Sequence, residues 1–158
     1  MTLARLVVVL VLFASVSVAD AAGPKTIKVP ITKAVATKGL GALTFGDRAV
    51  VAATLKYGGT TPPIVHTLTF KARTAGLTVG TAWRVGTAAS PIRLVGVNID
   101  LFDASNVLVA SDVFASTLDG YALSTLTTDG LIAGASYHMV LTGTQVGTVA
   151  YLMTIETR

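Results

Sequence analysis

The strictest constraint on the fold is the two-residue rhythm at the end of the chain. In Val149-Ala-Tyr151-Leu-Met153-Thr-Ile155 every second residue is apolar, and Tyr137, Met139 and Leu141 repeat the pattern just upstream. Successive side chains of a strand leave opposite faces of the pleat, so this alternation builds a sheet with one buried face and does not fit a helix. Further candidate strands run from Ile27 to Ile31, Val50 to Lys56, Ile64 to Ala72, Leu77 to Val85 and Ile92 to Phe102, with shorter ones at Val107–Ala110 and Tyr121–Leu126. Turn chemistry separates them: Gly58-Gly59, Pro62-Pro63, Ser90-Pro91, Asp103 to Asn106, Asp119-Gly120, Asp129-Gly130, Ala133-Gly134 and Gly143-Thr144. No window carries a capped stripe of 3.6-residue period. About eight or nine short strands at this spacing predict an all-β, antiparallel β-sandwich or a small barrel.

The N-terminus predicts export. A basic start ending at Arg5, an apolar run from Leu6 to Val18, and Ala19-Asp20-Ala21 before Ala22 form the three parts of a signal peptide over residues 1–21. A membrane anchor is the alternative, but a spanning helix needs about 20 apolar residues and this run is shorter. Cleavage after Ala21 leaves 137 of the 158 residues, one ordinary domain. The expected location is secreted or periplasmic, with no integral membrane span after cleavage. No cysteine is present, which excludes a lipid-modified cysteine, a disulfide framework and thiolate chemistry. An outer-membrane barrel would carry aromatic girdles, whereas Trp83 is the only tryptophan here.

Two motifs resemble a known group. Asp100-Leu-Phe-Asp103-Ala-Ser-Asn106-Val-Leu-Val-Ala-Ser is similar to the strand–turn–strand of bacterial pre-peptidase C-terminal domains. Leu131-Ile-Ala-Gly134-Ala-Ser-Tyr137-His-Met-Val-Leu-Thr-Gly143, with Gly147-Thr-Val-Ala-Tyr151, resembles their closing hairpin and that of FxDxF-type exported proteins. His66-Thr-Leu-Thr-Phe70 matches the latter's Phe-x-Asp-x-Phe strand only at its final Phe, and no sorting tail follows Arg158 in this sequence. The resemblance covers about 60 to 90 residues of moderately specific motif. It implies a secreted, jelly-roll-like β-sandwich, usually non-catalytic, and no particular ligand. Read on physical grounds alone, Gly134 supplies a positive φ before Tyr137 enters the sheet. Tyr137 and Tyr151 face the core with hydroxyls reaching an edge.

Reacting groups are scarce. His66 reads as a partly buried edge residue and His138 as the outer face of its strand; their spacing is not that of a zinc site. No Gly-x-Ser-x-Gly elbow or Ser-x-x-Lys motif occurs. These features point away from an enzyme, with a hydrolase a distant alternative, and no cofactor is expected. Asp100, Asp103 and Asn106 surround one turn, where a calcium ion is conceivable but an Asx turn explains them more simply. A carbohydrate or small-ligand module needs an aromatic platform, for which Trp83, Tyr57 and Tyr121 are the candidates.

Charge is unevenly distributed. From Lys25 to Arg93 the net charge is +9, and from Leu94 onward it is −5. Interleaved strands neutralise such halves as surface pairs; separated ones make a bipolar surface suited to homo-oligomers or an anionic partner. Lys25, Lys28, Lys33, Lys38, Lys71 and Arg73 are the candidate anion-facing residues. Nucleic acid is not expected, because stacking aromatics are sparse and the chain reads as exported. Residues 22–41, lysine-spaced and free of aromatics, read as a basic arm or an edge strand blunted by Lys28 and Pro30, ahead of a sandwich domain over 42–158. The leading expectation is a structural or interaction module of the bacterial envelope or extracellular matrix, with a protein or polysaccharide partner.

Overall fold

A computed structural model describes residues 23–55, 64–85, 95–116, 120–143 and 149–158. These form ten strands and no helix: β1 (Thr26–Ile31), β2 (Val35–Leu43), β3 (Arg48–Leu55), β4 (Ile64–Ala72), β5 (Leu77–Val85), β6 (Val95–Asp103), β7 (Leu108–Ser116), β8 (Gly120–Thr128), β9 (Ser136–Gly143) and β10 (Val149–Thr157). They make two five-stranded sheets, sheet A in the order β1-β3-β10-β5-β8 and sheet B in the order β2-β4-β9-β6-β7.

Pairing is nested in sequence. β6 pairs with β7, β5 with β8, β4 with β9 and β3 with β10, all antiparallel. The last eight strands are thus one long hairpin ribbon centred on the Asp103–Asn106 turn. Cross-pairs β10–β5 and β9–β6 then roll the ribbon into two packed sheets. That is a jelly roll. Apolar alternation drives the closure: Met153, Ile155, Val51 and Leu77 from sheet A meet Leu68, Leu101, Met139 and Leu141 from sheet B, all fully buried.

Two features depart from the sequence-based expectation. There are ten strands, and the sheets are mixed, because β1 runs parallel to β3 and β2 parallel to β4. Parallel neighbours normally need a long crossover. Here each crossover runs through the other sheet: the β1–β2 arch carries the chain from sheet A to sheet B before it returns as β3, and β3 lies between β2 and β4 in the chain. β2 escaped the alternation analysis because only Leu40 and Leu43 are buried along it, and Gly39 and Gly41 flank a bulge. It spans the boundary expected at residue 41.

The extra strand also corrects the reading of His66. β2 lies outside β4, so β4 is an interior strand and His66 is fully buried. The Lys33 carbonyl accepts from Nε2–H at 2.8 Å, so Nδ1 is the acceptor for the Tyr151 hydroxyl at 2.6 Å. Tyr151 is likewise not as expected: its hydroxyl points into the core and not to an edge. One neutral imidazole thus joins sheet B, sheet A and the β1–β2 arch. Burial holds its pKa below the ordinary 6.5, against an opposing push from the Lys33 carbonyl, and burial raises that of Tyr151. At the start of the arch, Asp47, also buried, accepts from the backbone N–H groups of Lys25 (2.9 Å) and Thr44 (2.8 Å) and from the Thr44 hydroxyl. Burial pushes its pKa up, but those bonds and the nearby Lys25 ammonium outweigh it and leave the carboxyl below 3.8.

Both groups oppose acid. The unfolded chain binds a proton at His66 below about pH 6.5 that the folded chain refuses, and the same applies to Asp47 below about pH 4. Chemical-denaturation midpoints should therefore fall between pH 7.5 and 5, and fall further below pH 4. His66→Leu should flatten the first decline. Tyr151→Phe leaves Nδ1 without its donor and should cost about 1–3 kcal/mol at pH 7.5.

Candidate functional site

Sheet B carries an open groove of about 660 Å³ on its outer face. β4 contributes Thr67, Thr69 and Lys71, whose outward parity follows from the buried Leu68 and Phe70 between them. β9 adds Ser136 and His138 by the same rule. Gly39, Gly41 and Ala42 of β2 leave the floor low on one side. The His138 ring stacks on Phe102, with centroids 5.3 Å apart and planes 18° apart. Among the described residues the lining is chiefly apolar, with hydroxyls from Thr67, Thr69 and Ser136, one formal charge, Lys71, and no carboxylate.

Of the aromatic candidates, Trp83 is on β5, where it pairs with Ala122 and Tyr151, and Tyr121 is on β8, where it pairs with Arg84. Tyr57 lies outside the described residues.

Asp103 holds a turn. Its Oδ1 accepts from the N–H groups of Ser105 at 2.8 Å and Val107 at 2.9 Å, and Asn106 takes the left-handed φ of 62° that closes the hairpin. Asp100 is on the outer face of β6, where the Ser111 hydroxyl donates to it at 2.6 Å. No group of three or more His, Cys, Asp or Glu able to hold a cation occurs among the described residues.

The basic residues gather on one side. Lys28 is on β1, Lys33 in the arch, Lys38 on β2, and Lys71 and Arg73 on and just after β4; all are exposed. Lys25 is drawn in, its ammonium 3.5 Å from Asp47 and donating to the Ala42 carbonyl at 2.6 Å. In sheet A the charged halves meet where β3 beside β10 brings Arg48 to Glu156; within the acidic half, Arg158 reaches Asp129 at 3.0 Å. In sheet B they stay apart, with lysines on β2 and β4 and Asp100, Asp103 and Asp112 on β6 and β7.

Residues that sequence reasoning missed are Gly39, Gly41, Thr67, Thr69 and Phe102. The outward alternation of Thr67, Thr69 and Lys71 was visible, but the depression depends on β2, whose pattern was not. No known protein-family model matches the chain, and no curated protein matches it either. The resemblance therefore rests on the two motifs alone.

Asp103→Ala should cost about 1 kcal/mol in thermal or chemical unfolding. Asn106→Gly should be tolerated, and Asn106→Val should cost about 1–2 kcal/mol. Calcium and chelator should give the same melting midpoint for the unmodified protein.

Proposed function

We propose that this is a secreted, non-catalytic β-sandwich that works as an interaction module of the cell envelope or extracellular matrix, and that it binds an acidic polysaccharide along the outer face of sheet B. The observation that carries the reading is the groove: open, chiefly apolar, edged by threonine and serine hydroxyls, and with Lys71 as the one charge among its described residues. An open trough on a rigid sheet suits an extended chain better than a compact metabolite, which is held by enclosure. Hydroxyls from Thr67, Thr69 and Ser136 offer donors and acceptors to sugar hydroxyls. The stacked Phe102–His138 pair offers a flat apolar surface beside them, and Lys71 favours a carboxylate.

Glycine at position 39 allows a direct test. A Cβ there would meet only Thr69 Oγ1, at 3.7 Å, and the residue lacks a positive φ, so Gly39→Leu fills the groove without straining the backbone. Isothermal titration with polygalacturonate should show binding that weakens about tenfold on Lys71→Glu and is lost on Gly39→Leu, with melting midpoints unchanged. It should also weaken as salt rises, since an exposed lysine–carboxylate contact is screened. Equal binding of a neutral glucan, or full binding by Gly39→Leu, would refute the reading.

A further inference from the structure

We infer that the molecule associates with copies of itself head to tail, the β1/β2 side of one docking on the β7/β8 side of the next. It does not rest on what the groove binds.

Strand sense comes first. β4, β9, β6 and β7 alternate in direction and β2 follows β4, so β7 runs opposite to β2. In sheet A, β1 follows β3 and the sense alternates through β10 and β5 to β8, so β8 runs opposite to β1. A copy displaced sideways without rotation therefore sets both of its edge strands antiparallel to both facing edges at once. A two-fold dimer joins like edges and leaves the opposite pair open. Head-to-tail contact repeats.

Exposed apolar side chains fall on matching levels. One register row of sheet B runs Val35, Val65, Thr142, Asn98, Val113. Its two ends, Val35 and Val113, are 65% and 69% exposed. One row of sheet A runs Pro30, Ala52, Leu152, Ala82, Leu123, apolar from edge to edge, with Leu123 78% exposed. Sideways stacking brings Val113 to the next copy's Val35 and Leu123 to its Pro30. Isolated valines on a surface are ordinary; paired ends of two separate rows are not.

Charge agrees. Among the described residues the ion pairs are Lys25–Asp47, Arg48–Glu156 and Arg158–Asp129. Lys28, Lys33 and Lys38 on the β1/β2 side, and Asp100, Asp103 and Asp112 on the β6/β7 side, have no ion pair. Asp112 shares a row with Ala36, so it would sit diagonally from Lys38 of the neighbour, within reach across an antiparallel pair. Its carboxylate already accepts from the Ser124 hydroxyl, which ties β7 to β8 and presents the two edges as one surface. Pro30 and the Gly39–Gly41 bulge interrupt continuous main-chain pairing, which keeps the contact reversible.

Sedimentation velocity on the purified protein tests this with two half-blocked forms. Val113→Lys with Leu123→Lys blocks the β7/β8 side; Val35→Lys with Pro30→Lys blocks the β1/β2 side. The unmodified protein should grow past the dimer as concentration rises, and association should weaken about tenfold between 0.05 and 0.5 M salt. Each blocked form should be monomeric alone, and the two mixed should form a one-to-one dimer and nothing larger. Circular dichroism confirms that both remain folded. A protein that stays monomeric up to about 1 mM, blocked forms that dimerise alone, or a mixture that stays monomeric would overturn the inference.

Discussion

The hydrogen bond from Tyr151 to His66 is the contact on which the grooved side of the molecule depends. It ties sheet A to sheet B through the core, and the second ring nitrogen fastens the β1–β2 arch to both through the Lys33 carbonyl. Everything distinctive about one side of the molecule belongs to that arch. β2 supplies the low floor of the groove through Gly39, Gly41 and Ala42, and β1, the turn and β2 present Lys28, Lys33 and Lys38. A jelly roll of β3 to β10 alone would have neither. The anchoring requires a neutral imidazole at one end and an ionised Asp47 at the other, so acid works against both ends of the arch in turn.

A network of this kind is a commitment to one structure. Burying a histidine is costly unless both nitrogens are partnered, and here the tautomer that serves the Lys33 carbonyl is the one that accepts from Tyr151. A leucine at position 66 would suit the core of sheet B. It would not specify where the arch lies. The arch needs such a device, because β1 and β2 bury only Val29, Ile31, Leu40 and Leu43, and parallel edge pairing is weaker per residue than the antiparallel ladders beside it.

Legibility in the sequence followed the apolar alternation. Where one face is buried and the other wet, as in β4, β9 and β10, strand bounds were readable to within one or two residues. The Asx turn at Asp103 and the positive φ at Gly134 were readable from local chemistry. What failed traces to one omission. β2 has no alternation to read, because an edge strand with a bulge and two glycines buries little. Without it β4 looked like an edge, His66 looked half exposed, and the groove had no low floor beside β4. Tertiary partners of His66 and Tyr151 lie 85 residues apart, and no local pattern announces them.

The groove and the sheet edges are geometrically linked, which bears on what such a module does. The row that crosses the groove runs Gly39, Thr69, His138, Phe102, Leu108, from the β2 edge to the β7 edge. In a head-to-tail row, Leu108 of one copy comes level with Gly39 of the next, and the open side of each groove gains a wall from its neighbour. A polymer lying across several copies then meets several grooves at once, and each further contact is made at the effective concentration set by the one before. On the proposed reading, weak single-site binding would become strong retention, and the polymer would in turn draw copies together. Neither partner needs a deep pocket or a reacting group, and among the described residues the sandwich offers its surface chemistry as threonine hydroxyls, a lysine and a shallow trough.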